Sequence, residues 1–250
     1  MESTEVTTQQ KNEVAAAPIA STMQASDLYV PRMVLAQAMT KVAQNPEVDI
    51  AVGDFYLTGS NKKFGDSFYF MPLSWKKIWT TLTAKGGKFV RLVPFTQDTI
   101  EMPFEERIDG VDVKNLLTYE FMGLVADKLE TEEDLDDAQL VVFSMRSTHA
   151  MAAKEMLSYF EQVNVNREAR GADKMLPYER KFKIGRTMAE KDDNQWWKTQ
   201  IGDNQKTNEL ERKLGKVWFD KLSQVKVRTD DEFKENSGQV ENTEAADFEV

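Results

Sequence analysis

The chain contains no cysteine and one histidine, His149. A disulfide framework, a zinc finger, an iron–sulfur cluster and a thiol nucleophile are therefore excluded, as is any metal or catalytic site that needs two imidazoles. No run of about 18 apolar residues occurs, so no membrane-spanning helix and no membrane partner are expected. Glu2 and Glu5 stand where a secretory signal would carry a basic, then apolar, segment, which predicts a cytoplasmic protein. The phosphate cradles GxxxxGK[ST] and GxGxxG and the nucleophile elbow GxSxG are also missing. No cofactor is called for, and a binder without catalysis is expected.

What is present is a chain of 250 residues, long enough for a sizeable core, with 41% hydrophobic and 30% charged residues, as in a soluble globular protein. Its net charge of -10 is unevenly spread. Residues 1–27 carry -3, 28–126 balance, the stretch 127–137 (DKLETEEDLDD) carries -6, 138–229 carry +6 and the tail 230–250 carries -7. The acidity thus belongs to an arm, a loop and a tail, while the body is mildly basic. An overall acidic protein of this kind can hold a polyanion, because local potential steers a ligand more than the sum does.

Residues 1–27 lack aromatics and any sustained apolar period, and predict a disordered arm. A single folded domain is expected over 28–225, with a disordered acidic tail at 226–250. Residues 33–43 fit a short helix or a strand. A strand pattern at 50–57 ends in the turn Thr58-Gly59-Ser60. SFYFMPLSWKKIWTTL (67–82) reads as a strand in which Pro72 implies an edge, a bulge or a bend. Gly86-Gly87 marks a hairpin into KFVRLVPF, 88–95. A loop is expected over 96–114, then strands at 116–126 and 139–146 joined by the acidic loop. Ser147 or Thr148 caps a helix over 148–163. RKFKIGRTM (180–188) and QWWKTQI (195–201) form a hairpin around Asp192-Asp193-Asn194. A helix over about 206–224 places Leu210, Leu214, Val217 and Leu222 near one face, with Trp218 towards the core. The fold class is mainly β with helices (α+β): an OB-like antiparallel Greek-key barrel with one inserted helix and a C-terminal helix.

Candidate chemistry is sparse. His149 reads as a satisfied or exposed surface histidine. Glu130, Glu132, Glu133, Asp134, Asp136 and Asp137 could hold Mg²⁺ for a nuclease, although a contiguous acidic run usually forms a solvated loop. Basic and aromatic residues interleave more informatively. In SWKKIW a strand puts Trp75, Lys77 and Trp79 on one face and Lys76 with Ile78 on the other. Phe89, Arg91, Val93 and Phe95 share a face. Lys181 and Lys183 oppose Phe182, Ile184 and Arg186, and Trp196 with Lys198 opposes Trp197. Such mixtures hold single-stranded nucleic acid, with rings on bases and cations on phosphates.

SWKKIW, KFKIGRTM, QWWKTQI and the tail EAADFEV together resemble phage-type single-stranded DNA-binding proteins over about residues 65–201 and 230–250. PRMVLAQAM followed by VGDFY is similar to the opening of phage replication-module proteins. The resemblance implies an OB-fold body acting in DNA replication, recombination and repair in the host cytoplasm, either alone or as a homo-oligomer. It implies a groove lined by Trp75, Trp79, Tyr119, Trp196 and Trp197, with Lys76, Lys77, Arg91, Arg146, Lys181, Lys183, Arg186 and Lys198 on phosphates. It further implies a tail (Asp247, Phe248, Glu249, Val250) that recruits replication or transcription proteins. The alternatives are a phage structural or assembly protein whose aromatics are all core, and the Mg²⁺-dependent nuclease.

Overall fold

The computed structural model describes residues 29–224. The expected arm 1–27 and the tail 226–250, with Asp247, Phe248, Glu249 and Val250, lie outside the described residues. In chain order the elements are β1 (Arg32–Leu35), α1 (Lys41–Gln44), β2 (Phe55–Leu57), β3 (Lys63–Gly65), β4 (Ser67–Thr83), β5 (Phe89–Pro94), β6 (Glu105–Ile108), β7 (Val111–Ala126), α2 (Glu132–Asp136), β8 (Gln139–Met145), α3 (Ala150–Glu168), β9 (Arg180–Lys191), β10 (Asn194–Lys206) and α4 (Glu209–Gln224). The chain is mostly β with helices. The strand order is β10-β9-β4-β7-β8-β1-β2-β3, with β5 added to β4 and β6 to β7. Every pair is antiparallel except β1–β8, which is parallel, where the sequence predicts an all-antiparallel barrel.

The long antiparallel pair β4–β7 is the axis of the molecule. Both strands carry alternating apolar residues on two faces, because each face is covered by a helix over part of its length. On one face Phe55, Phe68, Phe70, Phe121 and Phe143 pack with Ala152, Ala153, Met156 and Phe160 of α3. On the other, Met71, Leu73, Leu124 and Val142 meet Leu214, Trp218, Phe219 and Leu222 of α4. Phe160 is 2% exposed, and truncating a buried Phe to Ala typically costs about 3–5 kcal/mol.

Of the edge, bulge or bend expected at Pro72, the structure has a bulge: the register with β7 shifts between Pro72 and Ser74. Gly123 lies opposite Pro72, and a Cβ there would stand 2.5 Å from the Met71 carbonyl oxygen. Only hydrogen fits that approach.

Several local expectations are corrected. Residues 33–43 hold both a strand and, at 41–44, a short helix. The strand expected at 50–57 is confined to β2, because Gly53 (φ 93°) turns the chain just before it. The expected loop 96–114 contains β6 and the start of β7. Asp109 (φ 50°) and Gly110 (φ 83°) supply the two left-handed residues of a tight hairpin turn. The acidic stretch holds α2, capped by Thr131, whose hydroxyl accepts from the Asp134 amide. Backbone amides of Thr131 and Glu130 donate to the Asp134 carboxylate and hold its pKa below the usual range. The helix expected from 148 begins at Ala150 after a 3₁₀ turn, and no side chain caps it. On α4, Leu210 and Val217 are exposed, and the stripe packed on the core is the partly buried Leu214, Trp218, Phe219 and Leu222 instead.

The sheet curls until β10 meets the segment after β1. There the Gln37 side chain stands in for a strand: its Nε2 donates to the Trp197 carbonyl (2.8 Å), and its Oε1 accepts from the Trp197 amide (3.2 Å). Beside it, the Arg186 guanidinium lies 4.4 Å from the Trp197 ring centroid and 3.6 Å from an Asp54 carboxylate oxygen. Among the described residues the sheet is a curled half-barrel whose seam is fastened by side chains.

Candidate functional site

β9 pairs with β4 only over Ser67–Phe70, and β5 pairs with it only over Ile78–Leu82. Both use the edge of β4 away from β7. Between them, residues 71–77 have no strand partner on that edge, a waist at the rim of the sheet, while β7 stays paired with β8 on its other side. Met71, Pro72 and Leu73 are buried. Ser74, Trp75, Lys76 and Lys77 are all exposed, four residues in a row within a 17-residue strand. They are the first residues after the Pro72 bulge, which follows the last β9 pair.

The waist has two walls on its α3 face. One is α3, whose Phe160 stacks on Trp75 with ring centroids 5.3 Å apart and planes at 25°. The other is the segment 95–104, which links β5 on the β4 edge to β6 on the β7 edge and so crosses the ribbon. Its Thr99 carbonyl accepts from Trp79 Nε1 (2.8 Å), and its Phe95 ring lies 6.1 Å from that of Trp79. Between the walls, the Lys77 ammonium sits 5.4 Å from the Phe95 centroid and 5.7 Å from that of Tyr119. Trp75 is 40% exposed despite its size. Ring faces thus hold a cation beside an open indole.

The opposite face of the waist is ionic. Glu120 is buried, and its carboxylate receives Lys76 Nζ at 3.0 Å and Arg32 Nη1 at 3.5 Å. Arg32 also donates to Ser144 Oγ (2.7 Å). Lys76 remains 53% exposed.

The structure therefore brings Trp75, Lys76, Lys77 and Trp79 to the waist, with Tyr119 beneath them. Tyr119 is 6% exposed and is part of the core, where burial raises its phenol pKa. It meets Lys77 only through its ring. Arg91 shares the face of Lys77 but is paired with Glu106 at 2.7 Å, beyond the crossing segment. Lys181 departs furthest from the expected groove. It is buried, bonded to Glu211 Oε1 (2.6 Å) and the Leu129 carbonyl (2.7 Å), and ties β9 to α4. Strand alternation sets it on the α4 face, where a helix rather than solvent awaits it.

The other expected residues lie elsewhere. Trp197 and Arg186 are at the seam, and Trp197 packs against the α3 core. Trp196 and Lys198 alternate to the outer face of the β9–β10 hairpin, as does the exposed Lys183. Arg146 directly follows β8, near His149. His149 is satisfied: its Nδ1 bonds Thr199, and burial, followed by the charge of Arg146, lowers its pKa to about 4. Among the described residues no three His, Asp or Glu side chains converge as metal ligands. Phe160, Arg32 and Glu120 complete the waist without a sequence signal, since each reaches it only through long-range packing.

A family model described as Pam3 phage gp34-like protein matches residues 8–212, which include the whole ribbon and its waist. The chain belongs to the Pam3 phage gp34-like family. It is thus a phage protein, and no helix among its described residues is long and apolar enough to cross a membrane. No curated protein and no solved structure matches the chain.

Proposed function

We propose that this family member is a non-enzymatic, sequence-tolerant single-stranded DNA-binding protein, used where phage DNA is opened for replication, recombination or repair in the host cytoplasm. One observation carries the reading: Trp75, open to solvent and backed by Phe160, stands beside Lys77 on a bare stretch of strand. A base stacked on an aromatic ring contributes about 1–3 kcal/mol, and a neighbouring lysine supplies the phosphate contact. The curled sheet is consistent with an OB-like barrel, and Trp196 and Lys198 share the outer face of the β9–β10 hairpin. The acidic tail, with Phe248 near its end, is assigned to partner proteins and to competition for the basic surface.

Titration with oligo(dT) at low salt tests this. Tryptophan emission falls on binding, and the fall is largely lost in Trp75→Phe but kept in Trp79→Phe, because Trp79 is capped by the Thr99 carbonyl. Unchanged emission and no retention of oligo(dT) by the wild-type protein sink the proposal and favour the structural or assembly role. Shortened labelled strands after incubation with Mg²⁺ overturn the assignment as a non-enzyme.

A further inference from the structure

Lys76 and Lys77 are adjacent, exposed, and on opposite faces of β4. A ligand confined to one face can meet only one of them. They point to a single path only where the edge of the strand is open, and that condition holds at the waist, where neither β9 nor β5 flanks Ser74–Lys77. We infer that a single strand of nucleic acid turns around this edge, passing from Trp75 and Lys77 on the α3 face, through the gap, to Lys76 on the ionic face. The inference rests on the proposed function and adds the route.

Three features support it. The gap of four exposed residues is about 13 Å long at the usual strand rise, which a single strand can cross. A double helix, whose major groove alone is about 12 Å wide, is too broad to fold around it. Second, cations stand on both sides of the edge: Lys77 against the Phe95 and Tyr119 rings, and Lys76, half-exposed, beside Glu120. Third, Phe160 and the segment 95–104 bound the exposed residues of β4 on the α3 face.

Amine acetylation of the full-length protein, with and without saturating oligo(dT), tests the route without any substitution. Both Lys76 and Lys77 become protected. Salt titrations of Lys76→Gln and Lys77→Gln supply the second measurement. Each lysine that releases a counterion from a single strand contributes about 0.7 to the slope of log K against log salt. Each variant therefore lowers the slope by about that amount, and Lys76→Arg restores it. Protection of Lys77 alone, or an unchanged slope in Lys76→Gln, overturns the route while single-strand binding stands. Absence of oligo(dT) binding in the wild type overturns both.

Discussion

His149 and Thr199 are joined twice: Nδ1 accepts from the Thr199 amide at 3.1 Å and lies 2.9 Å from its hydroxyl oxygen. The acceptor role at Nδ1 requires the neutral ring with its proton on Nε2. Burial of the ring, followed by the charge of Arg146, lowers the folded-state pKa from 6.5 to about 4, and protonation also forfeits the hydrogen bond from the Thr199 amide. In the unfolded chain the ring takes a proton near pH 6.5, whereas in the folded chain it does so only near 4. The resulting stability is fully present above about pH 6.5 and lost as pH falls towards 4, on the order of 3 kcal/mol in all. Urea denaturation at pH 7 and pH 4.5 is expected to show a larger loss for the wild type than for His149→Gln. Equal losses contradict the assignment.

Lys181 and Glu211 form a buried pair, so removing one partner leaves an enclosed charge. Lys181→Met is expected to destabilise by about 3–5 kcal/mol, while Lys181→Met with Glu211→Leu recovers much of the loss. Thermal unfolding of both singles and the double gives the coupling energy.

Gln37→Ala removes both side-chain bonds to the Trp197 backbone. A cost of about 1–3 kcal/mol is expected, concentrated at the seam. Hydrogen exchange checks the location: the Trp197 amide exchanges faster, while amides at the centre of the β4–β7 pair keep their protection.

Gly123→Ala forces a methyl group against the Met71 carbonyl and the Phe70 ring. Overpacking of this kind costs about 1–3 kcal/mol, and here it also disturbs the bulge that precedes the waist. A drop in melting temperature, accompanied by altered Trp75 emission, is the expected result.

Local chemistry made much of this fold legible. Gly86 and Gly87 announced a hairpin, Pro72 an irregularity that proves to be a bulge, and the alternation in SWKKIW put Trp75, Lys77 and Trp79 on one face, as found. Where strands were misjudged, the cause was position in the sheet. EERI and VDVK are polar because they lie at an outlying edge, and their Asp109-Gly110 turn looks like any loop. Lys181 was misplaced for a different reason. Alternation fixes which face it occupies, yet only the docking of α4 decides whether that face is wet. The waist is a relation among β4, β5 and β9, and no window of sequence contains it.

The fastening of β10 has a consequence for crowded conditions. A long outer strand is a template for pairing between molecules. Here Gln37 and His149 already occupy outward-facing groups at Trp197 and Thr199, so that stretch of backbone is taken and does not serve as such a template.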